Sequence, residues 1–296
     1  MLPRQIFFPN LTDMTELLSL RSPAKLNLML NITGRREDGY HLLETVFQFI
    51  DFCDHLSFVV TDSSDVLRVT GNSPVAASED ILLRAAGLLQ TRFNVGKGIS
   101  INIDKRIPIG GGLGGGSSNA ATCLLALNRL WELDLSLQQL AEIGLELGAD
   151  VPVFIYGRAA WATGIGEVLE TIDLTEPIYV VIDPKIEVSS ANIFGAQELT
   201  RNNDPLTIRA FLRGSGSNVC EPVVRKLYPG VGEAIDWLSQ YATPKMSGTG
   251  ASVYAAFDSY EQAETVKSRV PKQWIAHIAK AMNRNPVHQQ LGLLDN

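Results

Sequence analysis

Cysteine is scarce. Cys53, Cys123 and Cys220 stand far apart, odd in number and without a Cys-x-x-Cys pair. That spacing builds neither a disulfide framework nor a thiolate zinc site, and a reducing cytoplasm is the expected setting. Long apolar runs are also lacking. None reaches the roughly 18 residues that a membrane helix needs, so no membrane association is expected. The apolar stretch near the N-terminus is cut by Pro9 and followed by Asp13 and Glu16, too soon for a secretory signal. Positive charge is in deficit, with a formal net charge of -7. A nucleic-acid binder would carry a basic surplus, so no nucleic-acid partner is expected. An anionic small molecule then has to be met by locally concentrated positive charge. Hydrophobic residues make up 45% of the chain, too many for disorder. Its 296 residues suffice for one large domain or two intimate ones.

Along the chain there is no repeat and no low-complexity tract. Residues 1–20 read as a loosely held extension, with Met14 as an alternative start. In residues 24–32, Ala24, Leu26, Leu28, Leu30 and Ile32 alternate with Lys25, Asn27, Met29 and Asn31, the pattern of a half-buried strand. Arg36–Gly39 is a turn, and Leu56–Val60 a further strand. Asp80 is placed to cap a helix whose apolar stripe includes Leu82, Ala85 and Leu89; Ile99, Ile101 and Ile103 alternate in another strand. Ser136 and Gln139 form a capping-box signature for a helix ending near Gly148. Beyond a soft boundary near residue 160 the texture changes. A strand at Ile178–Ile182, a polar loop over 201–218 and helix over Val223–Tyr241 with a break at Pro229-Gly230 come first. A strand, glycine turn and strand over Met246–Phe257, a helix over Gln262–Val270 and a strand near Trp274–Ile278 follow. This predicts an α+β chain of two parts, 1–160 and 161–296.

Glycine is in local excess. Pro108-Ile109-Gly110-Gly111-Gly112-Leu113-Gly114-Gly115-Gly116-Ser117-Ser118 puts six glycines into seven residues between a strand and an apolar helix. Glycine costs roughly 0.5–1 kcal/mol relative to alanine in regular structure, so such a run needs a reason. Backbone N–H groups without Cβ atoms in the way can crowd around phosphate oxygens, with the helix N-terminus adding positive potential. Ser117, Ser118 and Asn119 would add polar groups there. The bland alternative is a flexible loop with a serine cap. Gly110, Gly112 and Gly115 do satisfy G-x-G-x-x-G, but the position about 20 residues on lies near Glu132 at a helix end, where a dinucleotide fold needs a strand. No lysine stands in the loop, which excludes a Walker sequence.

These residues resemble the GHMP kinases, the family of galactose, homoserine, mevalonate and phosphomevalonate kinases. The loop carries the resemblance, together with Ser22–Leu28, Ile32–His41, Gly148–Val153 and Lys245–Ala251. One segment departs: Asn218-Val219-Cys220-Glu221 stands where Asn-Asp-x-Glu is expected. The resemblance implies a two-domain fold, with a ribosomal-protein-like N-terminal domain and a ferredoxin-like α/β-plait C-terminal domain. ATP would be the phosphate donor, with Mg²⁺, on Pro108–Ser118. Within the family the motifs resemble those of the branch acting on a cytidine-diphosphate substrate, and the resemblance implies phosphorylation of its methylerythritol 2-hydroxyl in the non-mevalonate route to isoprenoids. The alternative is another small-molecule kinase of the family, of mevalonate or homoserine type. The working form would be a monomer or homodimer.

The resemblance also assigns roles, beside which plainer readings stand. Asp150 is a candidate general base, or the N-cap of a helix with proline in its first turn. Lys25 would lie beside Asp150 and stabilise charge on the attacking oxygen, or it is a solvated lysine on an outer strand face. Lys105, with Arg106, would attract polyphosphate, or both are ordinary charges at a strand end. Tyr40 and Phe194 would sandwich a cytosine ring while His41 bonds its edge, or both rings belong to the core. Asn27, Gly248 and Thr249 would meet the substrate, or the latter two form a simple hairpin turn. No fixed metal ligand is assigned.

Overall fold

The computed structural model describes residues 17–293. Most of the expected N-terminal extension, and Met14 with it, lies outside the described residues; residues 18–20 already belong to the first strand. The first half contains β1 (Leu18–Arg35), β2 (His41–Thr61), β3 (Val66–Gly71), α1 (Ile81–Arg92), β4 (Gly98–Asp104), α2 (Gly115–Leu130), α3 (Leu137–Leu145), α4 (Val151–Tyr156), β5 (Ala160–Thr163) and β6 (Val168–Thr171). The second contains β7 (Ile178–Asp183), α5 (Ser190–Gly195), α6 (Ile208–Leu212), α7 (Glu221–Leu227), α8 (Pro229–Leu238), β8 (Lys245–Met246), β9 (Val253–Phe257), α9 (Tyr260–Lys267), β10 (Ile275–Met282) and α10 (Pro286–Gln290).

Hydrogen bonding runs β3-β4-β2-β10-β7-β9-β8, with β1 also on β2, and β5 on both β2 and β6. β2 is thus the common member. It pairs antiparallel with β1, β4, β5 and β10. One core packs α1 and α2 on the first sheet, through Leu82, Leu89, Ile101, Leu124 and Leu127. A second, around Val180, Ile182, Val224, Ile235 and Val253, belongs to the later strands and helices. We propose the division near residue 160 as the handover between these cores, with β5 and β6 reaching back to β2.

Local signals explain the helix starts. The Asp80 carboxylate accepts from Leu82 N–H, and Ser136 and Gln139 make the reciprocal capping box; such caps stabilise by about 1 kcal/mol each. Three expectations fail. The polar segment 201–218 holds the short α6, and α10 follows the last strand. The third concerns β1. Its second face is not solvated: Lys25, Asn27, Met29 and Asn31 are as buried as the apolar residues between them. Period-2 alternation distinguishes two faces but not what covers each, and here both are covered. The β1–β2 register is also irregular at Pro23/Ala24 and between Asn27 and Leu30. Proline has no N–H to give to a ladder, so an irregularity beside Pro23 is expected.

Candidate active site

The buried polar face of β1 meets two glycine segments. The first is the loop 108–118; the second, Ser247–Ser252, connects β8 to β9. They hydrogen-bond to each other: Ser252 N–H donates to Gly111 O (3.0 Å) and Ser247 Oγ to Gly112 O (2.8 Å). Ser247 Oγ also accepts from Asn27 N–H at 3.1 Å, and Tyr254 OH donates to Asn27 O at 2.8 Å. The second segment is therefore not a simple hairpin turn. The approach is so close that a Cβ on Gly112, at φ +72°, would lie 2.2 Å from Ser247 O.

Lys25 stands at this junction, with its side chain 4% exposed. Its ammonium donates to Asn27 Oδ1 at 2.5 Å and Gly112 O at 3.1 Å, and lies 3.2 Å from Asp150 Oδ2. Two hydrogen bonds and one ion pair thus hold the charge in place. The solvated alternative for Lys25 is excluded. Asp150 occupies the N-cap position of α4, yet its side chain makes no capping bond. Its carboxylate, 34% exposed, is turned to Lys25.

Lys25, Asn27 and Asp150 line a cavity of ≈ 710 Å³ together with Gly112, Gly114, Tyr40, His41, Phe194, Gly248 and Thr249. Of Pro108–Ser118, Gly112 and Gly114 are the members that line it, so the cavity reaches the N-terminus of α2. Gly114, at φ +70°, is the N-cap of α2 and brings no capping side chain. The first backbone N–H groups, from Gly115 on, are thus available to an anion. Ser117 is half-buried at that end, whereas the Ser118 hydroxyl is buried and bonded to Ser22 Oγ at 2.7 Å. Asn119 is buried within α2.

Lys105 is not an ordinary exposed charge. Its ammonium contacts Asp54 Oδ2 at 2.6 Å and donates to Ile107 O at 2.8 Å. It lies where a Cβ on Gly115 would come within 2.9 Å of Nζ. Burial lowers its pKa, opposed by the Asp54 charge. Asp54 is fully buried and also accepts from the N–H groups of Arg106 (2.7 Å) and Ile107 (2.8 Å), so it anchors the start of the loop. Arg106 is exposed and paired with Asp104. Asp54→Ala leaves a buried cation without its partner and is expected to cost roughly 3–5 kcal/mol of stability. Urea unfolding measures this; an unchanged midpoint would refute the anchoring role.

At the other end of the cavity, the turn Arg36–Gly39 delivers Tyr40 and His41, and α5 delivers Phe194. Tyr40 is exposed, not in the core. Phe194 stacks on His41, with ring centroids 5.2 Å apart and planes at 23°. Thr249 Oγ1 and Ser190 Oγ are 2.7 Å apart. Asn218 Nδ2 donates to Met246 O and Gly248 O, holding the second glycine segment. Val219, the departing residue, packs against the second core. Sequence reasoning missed Ser247, Thr45, which accepts from Asn27 Nδ2 at 2.9 Å, and Arg201, bonded to His41. Single serines, threonines and loop arginines carry no periodicity that would have marked them.

The chain belongs to the GHMP kinase family. The family model described as GHMP kinases N terminal domain matches residues 80–158, and that described as GHMP kinases C terminal matches 196–276. Within the family, it is 53% identical to the 4-diphosphocytidyl-2-C-methyl-D-erythritol kinase of Nitrosococcus oceani, over 88% of this chain and 94% of that one. The enzyme of the same name from Methylococcus capsulatus is 49% identical over 93% and 94%. A crystal structure of a 4-(cytidine 5'-diphospho)-2C-methyl-D-erythritol kinase superposes with a TM-score of 0.77 at 31% identity, covering 89% of this chain and 99% of its own. A homoserine kinase from Cytophaga hutchinsonii, at 16% identity and TM-score 0.66 over 95% and 98%, shares the fold.

Proposed function

We propose that the chain transfers the γ-phosphoryl group of ATP to the 2-hydroxyl of 4-diphosphocytidyl-2-C-methyl-D-erythritol, giving the 2-phosphate and ADP, in the non-mevalonate route to isoprenoid precursors. The observation that carries this is the Lys25–Asp150 pair in a cavity whose far end holds Tyr40, His41 and Phe194. Asp150 takes the hydroxyl proton, the oxygen forms its bond to phosphorus, and the bond to the ADP oxygen breaks. Lys25 stabilises the charge that develops on the attacking oxygen. Phosphoryl transfer demands little else of a protein than positioning and electrostatics. Backbone N–H groups at the start of α2 hold the phosphates, and Lys105 supports the loop from beneath.

Mg²⁺ fits as a companion of the nucleotide. Among the described residues no group of three or more His, Cys, Asp or Glu is poised for a metal, and Mg²⁺ commonly takes one or two carboxylates plus phosphate oxygens; Asp150 is the carboxylate at hand. When bound it neutralises phosphate charge. No helix among the described residues is long and apolar enough to cross a membrane, and we infer a cytoplasmic enzyme.

ADP release in a coupled assay, with the cytidine substrate set against mevalonate and homoserine, tests the assignment; turnover of either small acid alone would replace it. Tyr40→Ala and Phe194→Ala should each raise KM for the cytidine substrate and leave KM for ATP unaltered. Loss of one base-stacking face is worth roughly 1–3 kcal/mol. Unchanged KM in both would remove the base-recognition role from this end of the cavity.

A further inference from the structure

His41 and Phe194 come from distant parts of the chain, and one side chain, Arg201, bonds to both residues. The Arg201 side chain donates from Nε to His41 Nε2 at 3.1 Å. From Nη2 it donates to Phe194 O at 2.8 Å and Ala196 O at 2.6 Å, and from Nη1 to Leu199 O at 3.0 Å. Four of the five guanidinium protons are thereby engaged. Three of these bonds satisfy carbonyls at and beyond the C-terminal end of α5, a common use of arginine. The fourth crosses to the first residue of β2. Arg201 does not line the cavity; it acts through residues that do.

The bond to His41 has a chemical consequence. Guanidinium has no acceptor and does not deprotonate in proteins, so His41 Nε2 must present a lone pair. The ring proton then sits on Nδ1. No other described residue bonds to the ring through Nδ1. A doubly protonated ring would set N–H against N–H. In keeping with this, burial, and then the Arg201 and Arg35 charges, hold the imidazole below its ordinary pKa.

We propose that Arg201 is a positioning residue for substrate selection: it locks His41 as the Nδ1–H tautomer and holds Phe194 against it, so that His41 meets the base as a hydrogen-bond donor. This rests on the cytidine reading of the cavity. A lone donor discriminates between pyrimidines at ring N3, which accepts in cytosine and carries a proton in uracil.

The test has two arms. Long-range ¹⁵N–¹H correlation spectra of the histidine-labelled full chain, assigned by the signal lost in His41→Gln, report the tautomer without any substrate. The wild type should show a protonated Nδ1 and a bare Nε2. Arg201→Met should shift His41 toward the Nε2–H form. Kinetically, Arg201→Met should raise KM for the cytidine substrate about 10- to 100-fold, as expected for losing hydrogen bonds to a charged group. Its kcat and KM for ATP should stay within about two-fold, and preference over the uridine analogue should fall; Arg201→Lys should recover only part of the loss, because an ammonium cannot span both sets of acceptors. A wild-type Nε2–H tautomer overturns the proposal even if Arg201→Met fails to fold. So does a raised KM with an unchanged tautomer, which would reduce Arg201 to a loop support. A wild type that ignores the cytidine substrate but shows Nδ1–H would instead sink the substrate assignment.

Discussion

Asp150→Asn is expected to lower kcat by about 10²- to 10⁴-fold, the usual range for removal of a general base, with KM for ATP within a few-fold of wild type. The substitution keeps the size of the side chain and removes only its basicity and charge. Because Asp150 sits at the N-cap position of α4 without bonding to it, the same change should leave the melting temperature nearly untouched. That pairing of results separates the general-base role from the helix cap that the residues alone favour. A capping aspartate would give the opposite outcome, with about 1 kcal/mol of stability lost and kcat retained. Lys25 keeps its bonds to Asn27 Oδ1 and Gly112 O in the variant, so the loss is not one of lysine placement. Near-normal kcat in folded Asp150→Asn would end the assignment of the base.

Gly112→Ala should be the most damaging single methyl group in the loop. The added Cβ would lie 2.2 Å from Ser247 O and 2.8 Å from Gly250 O, both backbone atoms, at a residue with φ +72°. A side chain in that backbone region alone costs of order 1–3 kcal/mol, and the overlap forces the two glycine segments apart. The Gly112 carbonyl receives both Lys25 Nζ and Ser247 Oγ. Its displacement therefore moves Lys25 as well, and misplacement of a catalytic group by about 1 Å can cost 10²-fold in rate. We expect kcat/KM to fall at least that far, with weaker binding of ATP and of the cytidine substrate together. Gly116→Ala is the control. Its Cβ would meet only Ile81 Cγ2 at 3.6 Å, an ordinary contact, with no unusual φ. Stability should survive there, and any loss should be confined to ATP. Calorimetric titration of each ligand distinguishes the two patterns; equal, mild effects at both positions would show that the segments are not in the tight contact described.

Much of the architecture was readable because its signals are local. The Asp80 cap, the Ser136–Gln139 box and the glycine run entering an apolar helix each declare themselves within a few residues. The Lys25–Asp150 pair was not readable in that way. Lys25 occupies the face of an alternating strand that normally meets water, and it is covered by two glycine segments from distant parts of the chain, around Gly112–Gly114 and around Gly248. Asp150 carries the sequence marks of a cap, and it took the family resemblance to suggest otherwise. Arg201 lies in a polar stretch without pattern. Its meaning depends on α5 carbonyls and on a histidine at the far end of β2, which no short-range rule connects. For Lys105 the choice between attracting polyphosphate and an ordinary surface charge stayed open in the sequence, because Asp54, the carboxylate that holds it, belongs to a distant strand.

β2 carries His41, Phe47 and Asp54 on one unbroken strand. Its first residue receives Arg201, its middle lies under the Lys25 ammonium at 5.3 Å from the Phe47 ring, and its later part anchors Lys105. The strand is a gauge. It sets how far the His41 end of the cavity stands from Asp54, which holds Lys105 beside the glycine loop. Two residues inserted between Phe47 and His41 would keep every side chain on its own face yet lengthen the gauge by about 6.6 Å. An enzyme so altered would be calibrated for a longer acceptor molecule.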